Sequence, residues 1–354
     1  MANDSLREKQ PRRRGLAWDA SPTATRTPER RAQTTTHRLT WADLPASVHA
    51  RVAALLGEEV ARTRSCRGGF SPSTAEVVTG RGGRSLFVKA VRERDNPGSV
   101  ELNRREARVL ARIPAAAPVP ALVDEFEDGE WFVLVTEAAP GALPAEPWRR
   151  DQLAQVLVAL DRLQATATPC PVPGLPTVPE HLGPDMLGFE RVAADVPAGL
   201  DPWLAAHLEA LCAASRRGID ALAGDTLCHS DLRSDNLVID GSDGGTGGTV
   251  RLVDWAHASV GSPVADALQL LSSVDDPRGA LGVDAHVDAV LAAHDLPPTT
   301  GTDVLAGILG FFVDAARLPA TLPGLREHRE ARRDGLLPLV RTRWERELTS
   351  GRRS

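Results

Sequence analysis

The sequence predicts a two-lobed α+β fold, with a β-rich first lobe that contains one key helix and a second lobe that is mainly helical. Three observations carry that expectation. Two pairs of β-like runs lie between positions 75 and 136, each pair joined by a glycine-bearing turn, with one amphipathic stretch between the pairs. The pattern breaks at Ala138-Ala139-Pro140-Gly141, and beyond it apolar residues recur at helical spacing almost to the C-terminus. The length, 354 residues of which 42% are hydrophobic, suits about two lobes with a sizeable core and excludes a small stapled module.

Residues 1–36 are rich in Arg, Thr, Pro and Ser without apolar periodicity, which reads as a disordered basic tail; its run Arg12-Arg13-Arg14 is expected to be a solvated arm rather than a nucleic-acid site. The first lobe is expected over 37–141 and the second over 142–354. Within the first, Val48, Val52, Leu55, Leu56 and Val60 predict a helix from Leu44 to Ala61, followed by the glycine-containing stretch Arg67 to Ser73. The runs Ala75 to Thr79 and Ser85 to Val91 form one expected hairpin, and Leu122 to Glu127 with Glu130 to Thr136, around Asp128-Gly129, form the other. Between them a helix is predicted from about Ser99 to Ile113, with Ser99 as its N-cap. Beyond the break, helices are predicted over Asp151 to Gln164 and Trp203 to Leu222. A short β pair, Leu237 to Ile239 with Val250 to Val253, flanks a Gly-rich loop, and a helical tail completes the chain.

Composition narrows the function. Cys66, Cys170, Cys212 and Cys228 are too widely spaced for a CxxC motif and too few for a disulfide framework, which suits a reducing compartment. No signal-peptide-like apolar segment opens the chain, and the longest uncharged apolar run, Val304 to Val313, is half of what a membrane helix needs. A cytoplasmic protein without a membrane or nucleic-acid partner is expected. The net charge of −6 conceals an uneven distribution: residues 37–141 are neutral, whereas residues 142–323 hold 24 acidic against 10 basic side chains, masked by basic termini. Of the 41 basic residues, 39 are Arg, so Lys89 stands out.

Lys89 sits in the run Leu86-Phe87-Val88-Lys89-Ala90-Val91, apolar on both faces of a strand, where a buried ammonium requires a partner. The following helix supplies one. Glu106 lies on the same face as the apolar stripe Leu102, Val109, Leu110 and Ile113. A strand Lys with an inward helix Glu is the ion pair that positions nucleotide phosphates in kinases. The strongest signal is His229-Ser230-Asp231-Leu232-Arg233-Ser234-Asp235-Asn236, followed by a strand that ends in Val253-Asp254-Trp255. Phosphoryl transfer needs one carboxylate to hold the attacking hydroxyl, and a second carboxylate with an amide to hold Mg²⁺ against phosphate oxygens. Asp231, Asp254 and Asn236 fill those roles. A metallohydrolase using His229, Asp231 and Asp254 as ligands would leave Lys89, Glu106 and Asn236 unexplained.

On these motifs the sequence resembles the aminoglycoside phosphotransferase and choline kinase group of protein-kinase-like small-molecule kinases, over roughly residues 40 to 345. The resemblance implies a protein-kinase-like fold and the use of ATP and Mg²⁺. It makes Asp231 the catalytic base, Asn236 and Asp254 the metal ligands, Lys89 the contact to the α- and β-phosphates, and Glu106 its partner. It makes Glu137 to Gly141 the hinge, with Glu137 and Ala139 offering backbone bonds to adenine. His229 would support the loop, and Asp266 would stabilise it at the start of a helix over Ala267 to Ser273. Gly68, Gly69 and Ser71 would approach the phosphates, although the GxGxxG pattern of protein kinases is absent, and Arg233 takes the place of their catalytic-loop Lys.

A protein substrate is not expected, because only eleven residues separate Asp254 from Asp266 and no Ala-Pro-Glu follows. The expected acceptor is a small hydroxylated molecule, an amino-bearing antibiotic or amino sugar, since an acidic lobe attracts cations. That choice carries with it an expectation of antibiotic resistance. A metabolite kinase acting on a sugar, a choline-like or a homoserine-like acceptor, and an inactive kinase-like binding protein, are the alternatives.

Overall fold

The computed structural model describes residues 39–66, 73–241, 248–320 and 324–353; the expected tail over 1–36 lies outside them. A 3-10 turn at Trp41–Asp43 precedes helix α1 (Ala46–Leu56). Strands β1 (Val60–Ser65), β2 (Thr74–Gly80) and β3 (Ser85–Arg92) follow, then helix α2 (Pro97–Leu110) and strands β4 (Leu122–Asp128) and β5 (Trp131–Glu137). The five strands form one antiparallel sheet in the order β1-β2-β3-β5-β4.

Both faces of this sheet are covered, which is why its central strands read as unbroken apolar runs. On one face Val88 and Ala90 pack with Val48 and Val52 of α1. On the other, Val91 packs with Val100 and Ala107 of α2. Strand alternation therefore places Lys89, between Val88 and Ala90, on the α2 face.

Two expectations are corrected. The helix predicted over Leu44 to Ala61 stops at Leu56, because Gly57 adopts a left-handed conformation (φ 76°) that closes it. Val60 belongs instead to β1, an edge strand with no buried residue, whose polar sequence hides it. The predicted cap Ser99 lies inside α2: the helix starts at Pro97, and the Asn96 side chain accepts the Ser99 N–H at 2.8 Å. It ends at Leu110, three residues before Ile113.

Helices dominate the remainder: α3 (Arg150–Ala167), α4 (Val178–Met186), α5 (Gly188–Ala194) and α6 (Pro202–Ala221). Strands β6 (Thr226–Cys228), β7 (Leu237–Asp240), β8 (Thr249–Leu252) and β9 (Ser259–Gly261) come next, and then α7 (Ala265–Ser273), α8 (Val283–Ala292), α9 (Pro298–Ala316) and α10 (Leu325–Thr349). The β7–β8 pair matches the expected short hairpin; β6–β9 was not foreseen, since three residues are too few for alternation to register. The apolar run Val304 to Val313 is the middle of α9 and is buried all round, as a core helix should be. Among the described residues no helix is long and apolar enough to cross a membrane.

The chain passes from the sheet to the helical part after β5. Ala142 N–H donates to the Ile239 carbonyl at 3.0 Å and Ile239 N–H to the Ala142 carbonyl at 2.8 Å, which pins the segment after β5 against β7. The preceding Gly141 has φ 112°, and a Cβ there would collide with the Ile239 carbonyl, so glycine is required.

Candidate active site

The segments that carry the predicted chemistry converge. Lys89 Nζ donates to Glu106 Oε2 at 2.7 Å and to Asp254 Oδ1 at 2.8 Å. It thereby ties β3, α2 and the end of β8 at one point. Glu106 is nearly fully buried, and its second oxygen accepts the Trp255 N–H at 3.3 Å. Burial opposes the Lys89 ammonium, but Asp254 and Glu106 outweigh it and raise its pKa. Burial likewise raises Glu106 despite the neighbouring Lys89. At Asp254 burial pushes upward, yet Lys89 prevails and holds the carboxyl below its ordinary value. Asp254 adopts a left-handed backbone (φ 68°), a conformation uncommon for a residue with a side chain, at the turn from β8 into a 3-10 turn.

The loop between β6 and β7 is held from below by α7. Asp266 accepts the His229 N–H at 2.7 Å and the Ser230 N–H at 2.9 Å, and Ser230 too is left-handed (φ 62°). Gln269, one turn further along α7, accepts the Leu232 N–H at 2.8 Å and donates to the Ser230 carbonyl at 3.2 Å. His229 Nε2 lies 2.8 Å from the Val253 carbonyl, so it carries the proton there, while Nδ1 accepts the Asp231 N–H at 3.3 Å. Burial keeps His229 neutral and pushes its pKa down to about 4, although the Val253 carbonyl and Asp254 favour the charged ring. It supports the loop, as expected. Helix α7 begins at Ala265, so Asp266 lies in its first turn and not ahead of it.

Asp231 is buried on the wall of the resulting cleft. Its Oδ2 accepts from Asn236 Nδ2 at 3.2 Å, whereas its Oδ1, among the described residues, has no hydrogen-bond partner. Burial pushes its pKa up to about 7. Asn236 Nδ2 also donates to the Asp231 carbonyl at 2.8 Å. Arg233, 18% exposed, is held by Asp235 with its Nη1 3.6 Å from Asp231 Oδ1. The cleft has a volume of about 290 Å³, and Lys89, Glu106, Asp231, Arg233, Asn236 and Asp254 all line it.

Glu137 and Ala139 line the same cleft. Glu137 is the last residue of β5; its N–H donates to the Ala121 carbonyl at 2.9 Å and its carbonyl accepts the Thr136 hydroxyl at 3.0 Å, so both of its backbone groups already have partners. Gly68, Gly69 and Ser71 lie outside the described residues. The sequence reading missed Gln269, although its spacing three residues after Asp266 on one helix was a usable signal, and it gave Asp235 no role.

A family model described as the phosphotransferase enzyme family matches residues 62–299, more than half of the chain. The chain belongs to the phosphotransferase enzyme family. This phosphotransferase is accordingly a small-molecule kinase. In fold it is similar to an aminoglycoside 2'-phosphotransferase IIIa variant solved with GDP, with TM-score 0.57 and 17% identity over 86% of this chain and 98% of that one. It is similar also to a spectinomycin phosphotransferase solved with ADP and spectinomycin, with TM-score 0.53 and 10% identity over 84% and 97%. A third likeness is to an aminoglycoside phosphotransferase from Alicyclobacillus acidocaldarius, with TM-score 0.52 and 16% identity over 81% and 92%. At these identities the phosphotransferase shares the fold with them. No curated protein sequence matches the chain significantly.

Proposed function

We propose that this phosphotransferase moves the γ-phosphoryl group of ATP, with Mg²⁺, to a hydroxyl of an amino-bearing small molecule, with an antibiotic or amino sugar as the leading class. The observation that carries the reading is Asp231: a buried carboxylate with one oxygen that has no partner among the described residues, in the same cleft as Lys89, Asn236 and Asp254. In this reading Asp231 receives the acceptor's O–H and takes its proton as the oxygen attacks, Lys89 binds the α- and β-phosphates, and Glu106 keeps Lys89 in place. In the same reading residues 37–141 bind the nucleotide, and 142–354 supply the catalytic loop, the metal ligands and the acceptor site.

The residues fit a hard cation. Both bonds of Asn236 use its amide nitrogen, which leaves the carbonyl oxygen, and the Asp254 side chain is 40% exposed toward solvent. Among the described residues no group of three or more His, Cys, Asp or Glu could hold a metal alone, which suits Mg²⁺ that completes its shell with phosphate oxygens and water. When bound, the ion neutralises phosphate charge and orients the phosphate oxygens.

The excess of acidic residues over 142–323 supports a cationic acceptor. Two of the similar structures hold different nucleotides, GDP in one and ADP in the other, so GTP belongs in the assay beside ATP. The decisive test is nucleoside-diphosphate release across a panel of antibiotics, amino sugars and hydroxylated metabolites. Phosphorylation of an aminated compound that Asp231→Ala abolishes, with nucleotide binding retained, is expected. Turnover retained in that variant would remove the base assignment, and an exclusively anionic acceptor would remove the amino-bearing class.

A further inference from the structure

We infer that Asp235 is a positioning residue that holds Arg233 away from Asp231, so that the base keeps a free oxygen while the guanidinium stays beside it. The inference rests on the reading of Asp231 as the base and goes beyond it, because no role in the reaction has so far attached to Asp235.

The geometry is specific. Arg233 uses the side of its fork on Asp235, with Nε donating to Oδ1 at 2.9 Å and Nη2 to Oδ2 at 3.2 Å. The remaining nitrogen, Nη1, stops 3.6 Å from Asp231 Oδ1, close enough for attraction but too far for a hydrogen bond. That oxygen is buried and, among the described residues, has no hydrogen-bond partner. A guanidinium and a carboxylate left to themselves in a site of low exposure close to about 2.8 Å and pair bidentately. Something must prevent it here, and Asp235 is the group that occupies the fork.

The backbone makes Asp235 a fixed post. Residues Ser234–Asn236 form a 3-10 turn, and the Asn236 N–H donates to the Arg233 carbonyl at 3.0 Å, which sets the separation of 233 and 235. The Ser234 hydroxyl donates to Glu146 Oε1 at 2.8 Å and anchors the same turn from the other side. Arg233 and Asp235 thus form a closed pair that places positive charge next to the reacting oxygens without consuming the base.

Sign epistasis is the consequence. In Asp235→Ala, Arg233 is released onto Asp231 and quenches it; in Arg233→Ala the positive charge beside the base is lost and Asp235 loses its partner, but the base stays open. We expect Arg233→Ala to lower the turnover of Mg·ATP, read as ADP release with kanamycin and with water as acceptors, by roughly 10- to 100-fold. Asp235→Ala should fall at least about tenfold lower, and the Asp235→Ala/Arg233→Ala double variant should climb back to within about threefold of Arg233→Ala. The affinity for Mg·ATP should move by less than about threefold, since Asn236 keeps its bonds to Asp231. A crystal structure of Asp235→Ala, which depends on no turnover, should show Arg233 hydrogen-bonded to Asp231 Oδ1. A crystal structure in which that oxygen stays unpartnered, or a double variant no faster than Asp235→Ala, overturns the inference. If wild-type protein neither binds nor turns over Mg·ATP while the crystal structure shows the collapse, the functional reading has failed and the positioning role stands.

Discussion

Lys89 reaches Asp254 at 2.8 Å while holding Glu106 at 2.7 Å, so a single ammonium separates two carboxylates that would otherwise face each other. The three come from three elements that are far apart in sequence, and their mutual distances are set by the packing of α2 between the sheet and the 3-10 turn at Trp255–His257. Arg105, next to Glu106, reinforces that packing by donating to the Ala258 carbonyl.

Removing the ammonium should cost both activity and stability. Lys89→Met leaves two carboxylates uncompensated in a site where Glu106 is almost fully buried, and unfolding free energy should drop by about 3 kcal/mol. Adding Glu106→Gln should recover part of that loss in urea denaturation while phosphotransfer stays absent. No recovery in the double variant would show that the loss has another origin.

Asp266 is a buried carboxyl that accepts two loop amides. Burial pushes its pKa up to about 6, and the His229 and Ser230 amides offset that only in part. A carboxyl with a raised folded pKa stabilises fully below its unfolded value and loses that contribution as pH rises through the folded one. Wild-type protein should therefore lose about 2 kcal/mol relative to Asp266→Asn between pH 4 and 7. The Asn variant can accept only one of the two amides through its single oxygen. Its turnover should fall by roughly 10- to 100-fold although it is no less stable at pH 7. Equal turnover would dismiss the loop-holding role.

Three buried histidines give the opposite slope. Burial depresses His181 to about 3, and His229 and His257 to about 4, so the unfolded chain binds more protons below the ordinary imidazole value. Each contributes stability that is present near pH 7 and lost on acidification. His181 packs obliquely against His257, with ring centroids 5.7 Å apart. Relative to His181→Leu, wild-type protein should lose about 2 kcal/mol between pH 7 and pH 5. Chemical denaturation of both proteins at the two pH values checks this, and parallel curves would contradict it.

Salt should discriminate acceptors by charge. If the acidic half draws in a cationic acceptor, its KM should rise several-fold from about 20 to 300 mM monovalent salt, as the Debye length shortens from about 20 to 6 Å. The KM of an uncharged acceptor should stay level. Identical salt responses for the two would detach acceptor choice from the charge of residues 142–323.

Much of this site was legible in the chain. Lys89 announced itself through the scarcity of lysine and an apolar strand, Glu106 through its place on an apolar helical stripe, and Asp231, Asn236 and Asp254 through spacing within short local segments. Periodicity and spacing are local properties, which is why they located α2, α3 and α6, both hairpins of the sheet and the carboxylates, but not the short helices α4 and α5. It failed where an element is short or polar: β1 hid in VARTRS, β6 and β9 in three residues each, and the cap of α2 stood three residues ahead of Ser99.

Contacts that depend on which elements pack together could not be read that way. Lys89 bonding Asp254 as well as Glu106, and Asp235 taking the fork of Arg233, are set by how the elements that carry them pack. Local sequence supplies the residue types that such chemistry requires. Whether a carboxylate ends as a base with an open oxygen or as half of a salt bridge depends on the packing that holds its neighbours, and packing is a property of the whole chain.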